Sequence, residues 1–241
     1  MASLYLHPDL AGVEVGAVIE ITGDEARHAV QVARVQAGER LAFGDGRGTI
    51  ARGVVTDASP AALALAVEEV VREAAALPEL WLAQALAKGD RDELAVQAAT
   101  ELGVAGVIPW AAERSVSRWQ GAKVARGEER WRSIVREASK QAIRARVPQV
   151  SGLASTGELA ALGGLLVVLE PSAATPLSSV ELGDAERVTL IVGPEGGIAP
   201  RELERFAEAG AVLARLGSEV LRTSTAGPAA LAVLNARLGR W

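Results

Sequence analysis

The last third of the chain repeats one unit: a run of strand length that is apolar except for Thr189, a loop rich in Gly, Pro, Ser or Thr, and then a helical segment. The apolar runs are Leu165–Leu169, 188–192 and 211–213, and the loops that follow them cover 170–176, 193–199 and 216–226. Runs that are apolar on both faces and separated by helices predict parallel strands covered by crossover helices. Pro200 at a first helical position, Gly210 after that helix and Pro228 at the start of the last helix punctuate the pattern. In open α/β sheets ligands bind beyond the carboxyl ends of the strands, so these loops are expected to converge on one pocket.

The alternation begins earlier. A strand is predicted at 80–86, then the loop Lys88-Gly89-Asp90, a helix ending at Gly103 and a second strand at 107–110. A helix over 127–145 carries Trp131, Ile134, Val135, Ala138, Ala142 and Ala145 on one face. Arg132, Arg136, Lys140 and Arg144 follow one another at steps of four, which predicts a slanting basic stripe on the outside.

The first 70 or so residues read as a small β-rich unit with one helix. Thr22-Gly23-Asp24-Glu25 has the spacing of a capping box, so a helix is expected through 26–35, stopping near Gly38. The stretch 41–43, Gly44-Asp45-Gly46 and 49–55 predicts strand, tight two-residue turn and strand. Leu63, Leu65 and Val67 alternate as a half-buried strand does. The Ala-rich stretch 72–78, ending in Pro78, is the candidate linker.

At 241 residues the chain suits one or two domains. Zero cysteines exclude disulfides, thiolate zinc sites and a cysteine nucleophile. The two histidines, His7 and His28, are well separated, His28 reads as a surface or packing residue, and no metal site is expected. The start of the sequence lacks a basic region followed by an apolar run, and no later apolar stretch approaches about 18 residues, so a soluble cytoplasmic protein with no membrane partner is expected. A net charge of −5 argues against indiscriminate nucleic-acid binding, yet ten basic residues face four acidic ones between Glu113 and Arg146. Of the five tryptophans, Trp81, Trp110, Trp131 and Trp241 read as core or interface, and Trp119, inside the basic segment, can also stack on a base.

Gly193-Pro194-Glu195-Gly196-Gly197 lies between a strand and a helix, where glycines let a ligand approach the backbone. It fits neither the dinucleotide fingerprint nor the P-loop. The next loop, Leu216-Gly217-Ser218-Glu219-Val220-Leu221-Arg222-Thr223-Ser224-Thr225-Ala226-Gly227, sets small and hydroxylated residues around one arginine and two leucines. An apolar wall with backbone donors suits adenine and ribose, and the arginine suits an anion or an electron-rich base. Thr223, Ser224 and Thr225 equally suit capping of the following helix.

Taken together, Ile191-Val192-Gly193-Pro194-Glu195-Gly196-Gly197 and Leu216-Gly217 with Leu221-Arg222-Thr223 and Thr225-Ala226 resemble the SPOUT methyltransferases, specifically the RsmE-type enzymes that methylate N3 of a uridine in 16S ribosomal RNA. Glu113-Arg114-Ser115, and Glu137-Ala138 with Gln141, Arg144 and Val147-Pro148, also fit that pattern, and the resemblance covers essentially the whole chain. It implies an α/β fold with a PUA-like RNA-binding β-barrel domain at residues 1–72 and a SPOUT domain with a parallel sheet and a carboxyl-terminal trefoil knot at 73–241. It further implies S-adenosylmethionine as cofactor, the small ribosomal subunit as substrate and a homodimer.

By matching positions, the resemblance assigns Leu169, Gly193, Glu195, Gly197, Leu216, Leu221, Thr223 and Thr225 to the cofactor. It assigns Arg222 to catalysis at the target base and Lys88, Arg114, Arg136, Gln141 and Arg144 to RNA contact. One position departs, since Ser224 stands where many members carry Glu. A uridine N3 holds its proton at neutral pH, so the reaction needs a base or stabilisation of the deprotonated ring, and Arg222 suits the second role. Two other functions fit the same residues: methylation of a different RNA such as transfer RNA, and RNA binding or ribosome assembly without chemistry.

Overall fold

The structure, a computed structural model, describes residues 4–241; residues 1–3, where the reading of the amino terminus began, lie outside them. The chain forms two units, one reaching Ala75 and including Ser139–Val147, the other comprising Ala76–Ala138 and Pro148–Trp241.

In the first unit β1 (Leu4–Leu6), β2 (Val18–Thr22), α1 (Gly23–Arg27), β3 (Arg40–Gly44), β4 (Thr49–Ala58) and β5 (Ala62–Arg72) build a five-stranded sheet of order β1-β3-β4-β5-β2. Only β1 and β3 pair in parallel. Leu63, Leu65 and Val67 all face a core that includes Tyr5, Phe43 and Val55, as their alternation predicts. On the sheet's other side Leu4, Ala42 and Ile50 pack with Ala145. Irregularities in the β4–β5 register fall at Arg52/Gly53 and Val55/Asp57, and such bulges bend and twist a sheet.

Several local expectations give way to longer-range contacts. Thr22 is the N-cap of α1, but its hydroxyl makes no capping bond. The Glu25 carboxylate that would complete the box instead meets the Lys140 ammonium at 3.3 Å, with only 16% and 11% of the two side chains exposed. The helix is shorter than expected and passes into a π-helical turn at His28–Val32. The β3–β4 connection spans four residues, 45–48, because the Asp45 carboxylate accepts from the amides of Arg47 at 2.7 Å and Thr49 at 3.0 Å. A two-residue turn would break that closure.

The second unit holds β6 (Glu79–Ala85), α2 (Arg91–Glu101), β7 (Gly106–Trp110), α3 (Ala122–Gln141, its last three residues counted with the first unit), β8 (Gln149–Val150), α4 (Thr156–Ala160), β9 (Leu165–Leu169), β10 (Thr175–Pro176), β11 (Arg187–Val192), α5 (Pro200–Glu208), β12 (Val212–Arg215) and α6 (Thr223–Arg237). Its seven strands run in the order β10-β12-β9-β11-β6-β7-β8, every pairing parallel. Trp110, Phe206, Val168 and Ile191 fill one core cluster, with the Trp110 and Phe206 rings edge to face at 5.6 Å. On the other face α6 lies against α2, β6 and β11, and Asn235 donates to the Leu102 carbonyl at 2.7 Å. A Cβ at Gly227 would sit 2.9 Å from Leu82, so this glycine allows α6 to approach β6 closely.

Pro200 does open α5, but Pro228 lies inside α6, which starts at Thr223 and not at the proline. The basic stripe is only partly external. Arg132 and Arg136 are exposed on α3, whereas Lys140 is mostly buried beside Glu25, and Arg144, beyond the helix end, is mostly removed from water. Burial pulls the Arg144 guanidinium down to about 10, against the opposing pull of Glu73. Ala142 is exposed, because the helix ends at Gln141 and the face read over 127–145 is not continued.

At the β4–β5 bulge a Cβ on Gly53 would lie 1.9 Å from the Ala66 carbonyl oxygen, a backbone atom that cannot move aside alone. Gly53→Ala is therefore expected to destabilise the first unit by about 2–3 kcal/mol, measured as a lowered denaturant midpoint; an unchanged midpoint would contradict this packing.

Candidate active site

Parallel pairing brings the carboxyl ends of β9, β11 and β12 to one edge of the sheet, and their loops enclose a cleft of about 410 Å³. Leu169, Glu170 and Pro171 line it from the first loop, Val192 to Glu195 with Gly197 and Ile198 from the second, and Leu216, Gly217 and the stretch 219–223 from the third. The convergence expected from the repeated strand-loop-helix unit is thus present.

A hydroxyl ties the floor together. Thr223 donates to the Gly193 carbonyl at 2.8 Å and accepts from Nε2 of Gln84 at 2.8 Å, joining β6, the β11 loop and the first residue of α6. Both side chains are buried. Thr223 therefore does not cap α6, whose N-cap is Arg222. Gln84 was not anticipated as part of the site. Its signal in the sequence is a single amide side chain in the otherwise apolar strand 80–86.

The glycine-rich loop is held from two sides. Glu195 accepts from the Lys88 backbone amide at 3.1 Å and from the Arg91 guanidinium at 2.9 Å. Burial opposes its charge, but these bonds and its own backbone amide outweigh that and hold the carboxyl below its ordinary value. It is an anion throughout the neutral range. On the other side Arg114 donates to the Gly196 carbonyl at 3.2 Å. The adjacent Glu113 amide donates to Glu202, a buried carboxylate that also accepts from Thr156 at 2.6 Å and from the Ala199 amide at 3.1 Å. A Cβ at Gly193 would lie 2.6 Å from Ile198, and Gly197 adopts φ +72°, so the loop's course requires glycine at both positions.

Leu169, Gly193, Glu195, Gly197, Leu216, Leu221, Arg222 and Thr223 all line the cleft. Thr225 does not; it is exposed, in the first turn of α6. Arg222 is exposed, and among the described residues its guanidinium has no hydrogen-bond or ion-pair partner, so its side chain makes no capping bond at its N-cap position and bridges no loops. Arg91, Glu170, Ile198, Arg215 and Glu219 line the cleft without having been singled out individually as site residues. Lys88 and Arg114 are exposed beside the glycine-rich loop, and Arg136 is exposed on α3. In the first unit Gln141 is exposed and Arg144 mostly buried. Among the described residues no group of His, Asp and Glu is placed to hold a metal ion, and no helix is long and apolar enough to cross a membrane.

Thr223→Val keeps the volume but deletes the donor to Gly193 and leaves the buried Gln84 amide with the Ala85 carbonyl as its one remaining acceptor. It is expected to cost about 1–3 kcal/mol of stability, read from chemical unfolding; a variant as stable as its parent would contradict the bridging role.

Comparison with known proteins places the chain. A family described as the RNA methyltransferase domain matches residues 75–235, and the RNA methyltransferase PUA domain matches residues 21–67. The chain is 42% identical to ribosomal RNA small subunit methyltransferase E of Mycobacterium bovis, covering 95% of this chain and 90% of that one. The Bacillus subtilis protein of the same name is 31% identical over 92% and 91% of the two chains. In structure, the chain resembles ribosomal RNA small subunit methyltransferase E from Neisseria gonorrhoeae bound to S-adenosyl methionine, with a TM-score of 0.86, 26% identity and 98% coverage of both chains. With a PUA-type β-domain ahead of an RNA methyltransferase domain, and relatives aligned over nearly their full length, the chain belongs to the ribosomal RNA small subunit methyltransferase E family.

Proposed function

We propose that the protein transfers a methyl group from S-adenosylmethionine to N3 of a uridine in 16S ribosomal RNA. The observation that carries this reading is the cleft at the ends of β9, β11 and β12, lined by every residue but Thr225 that the family resemblance assigns to cofactor and catalysis. Its volume of about 410 Å³ suits a small-molecule site. Its residues fit the cofactor. Leu169, Leu216 and Leu221 offer apolar walls to adenine, and a Cβ at Gly197 would meet nothing within 4 Å, so the missing side chain leaves room for a ligand. When bound, the cofactor supplies an electrophilic methyl group on a sulfonium.

The chain's own residues do the rest. Arg222, at the cleft wall with its guanidinium unengaged by the described residues, donates N–H groups to a uracil carbonyl oxygen. It thereby stabilises the negative charge that develops on the ring as the N3 proton leaves. Ser224 carries no carboxylate, so that position supplies no base, and stabilisation of the deprotonated ring falls to Arg222. Glu195 holds the glycine-rich loop against Lys88 and Arg91, and Thr223 fixes the helix end next to Arg222. RNA is met by the exposed cations Lys88, Arg114 and Arg136. A homodimer and a carboxyl-terminal knot belong to the same proposal. The knot rests on the family resemblance.

The test is transfer of labelled methyl to small ribosomal subunits lacking the modification, followed by nucleoside analysis. Label in 3-methyluridine is expected, with Arg222→Ala slower by about 100-fold or more; label in another nucleoside or only in transfer RNA would assign a different substrate, and cofactor binding without transfer would assign a binding protein. Arg136→Ala is expected to flatten the salt dependence of RNA binding by about one unit of slope. An unchanged slope would return Arg136 to the role of a solvated surface charge.

A further inference from the structure

A second cleft, of about 370 Å³, opens in the same unit and has no part in the cofactor site. It is lined by Lys88, Asp90, Trp119, Gly127, Arg130 and Trp131. Trp119 is half-buried and meets the Trp131 ring edge to face at 5.7 Å. The geometry is held by a glycine: a Cβ on Gly127 would stand 2.4 Å from the Trp119 ring, so only glycine lets the indole lie against α3. Trp131 is 1% exposed and its indole N–H has no hydrogen-bond partner among the described residues.

The charges around the indoles are mostly accounted for. The Arg130 guanidinium donates twice to Glu93, at 3.0 and 2.8 Å, and the two Asp92 oxygens accept from the Ala87 and Glu93 amides. Lys88 and Asp90 remain at the wall, one cation and one anion. A free phosphate would meet the Asp90 carboxylate, whereas a neutral heteroaromatic ring with both N–H and carbonyl groups suits this pair and the indole alike. The two clefts also adjoin: Lys88 lines this one, while its backbone amide donates to Glu195, which lines the cofactor cleft together with Arg91.

We propose that this second cleft is a nucleobase subsite, in which Trp119 stacks on a base flanking the methylated uridine. The inference rests on the RNA-substrate reading above and deepens it. Stacking on an aromatic side chain is how splayed single-stranded bases are held, and it needs no sequence match. Binding a neighbour in an adjoining cleft also fixes the strand on one side of the reacting base, which raises the fraction of encounters that are in line.

The test uses a single-stranded RNA oligonucleotide carrying the target uridine and its neighbours, with Trp119→Leu and Trp119→Phe beside the parent. The leucine variant is expected to raise Kd for RNA and KM in methyl transfer about tenfold, the phenylalanine variant less than about threefold, and neither is expected to change affinity for S-adenosylmethionine. Equal weakening in both variants, or none in either, overturns the subsite. Photo-crosslinking of 4-thiouridine-substituted RNA to the unmodified protein gives an independent reading: a crosslink at Trp119 supports the subsite, and crosslinks confined to other segments overturn it. A parent that binds the oligonucleotide through Trp119 yet transfers no methyl would overturn the proposed reaction and leave the subsite standing.

Discussion

The parallel pairing of β9, β11 and β12 governs the rest of the second unit. Because parallel neighbours enter from the same side, each must leave the sheet at the same edge, and the chain has to return by a helix or a long crossover. Three loops are thereby delivered to one place without any residue of the site contributing to the choice. Thr223 then converts proximity into geometry. One hydroxyl, hydrogen-bonded to Gln84 and to Gly193, sets where α6 begins and so where Arg222 stands.

Within this frame charge is used in two distinct ways. Some cations are spent on structure: Lys140 meets Glu25 in a nearly dry pair, Arg91 anchors Glu195 and Arg130 grips Glu93. Lys88, by contrast, keeps its side chain in solvent, where a phosphate chain can reach it. The basic segment between Glu113 and Arg146 is thus no uniform patch. A chain with a net charge of −5 can present a local basic surface only if its acidic residues lie elsewhere or are engaged.

The repeated apolar run, flexible loop and helix made the sheet and the position of the cleft legible from residue types alone, because burial on both faces leaves no polar alternation to misread. Periodicity also located Trp131 and Val135 on the inner face of α3. The misreadings share a cause. Glu25 and Lys140, 115 residues apart, outcompete a local capping box, and a carboxylate at Asp45 reshapes a turn that the Asp-Gly pair alone would have tightened. Pro228 looked like a helix start because proline is punctuation at a first turn, yet α6 begins earlier, at Thr223, where the Gln84 and Gly193 bonds fix it. Gln84 and Arg91 enter the site through contacts spanning more than 100 residues, which no local pattern encodes. The family resemblance supplied the roles of the loop residues, and the fold supplied the reason they meet.

The three loops at the carboxyl ends of β9, β11 and β12 are proposed, together, to hold the cofactor. Amide hydrogen exchange with and without S-adenosylmethionine tests it most directly. Protection is expected in 169–176, 193–199 and 216–223 together, with the first unit unchanged. Protection confined to one of these loops, or appearing in the β-rich first unit instead, would contradict the claim.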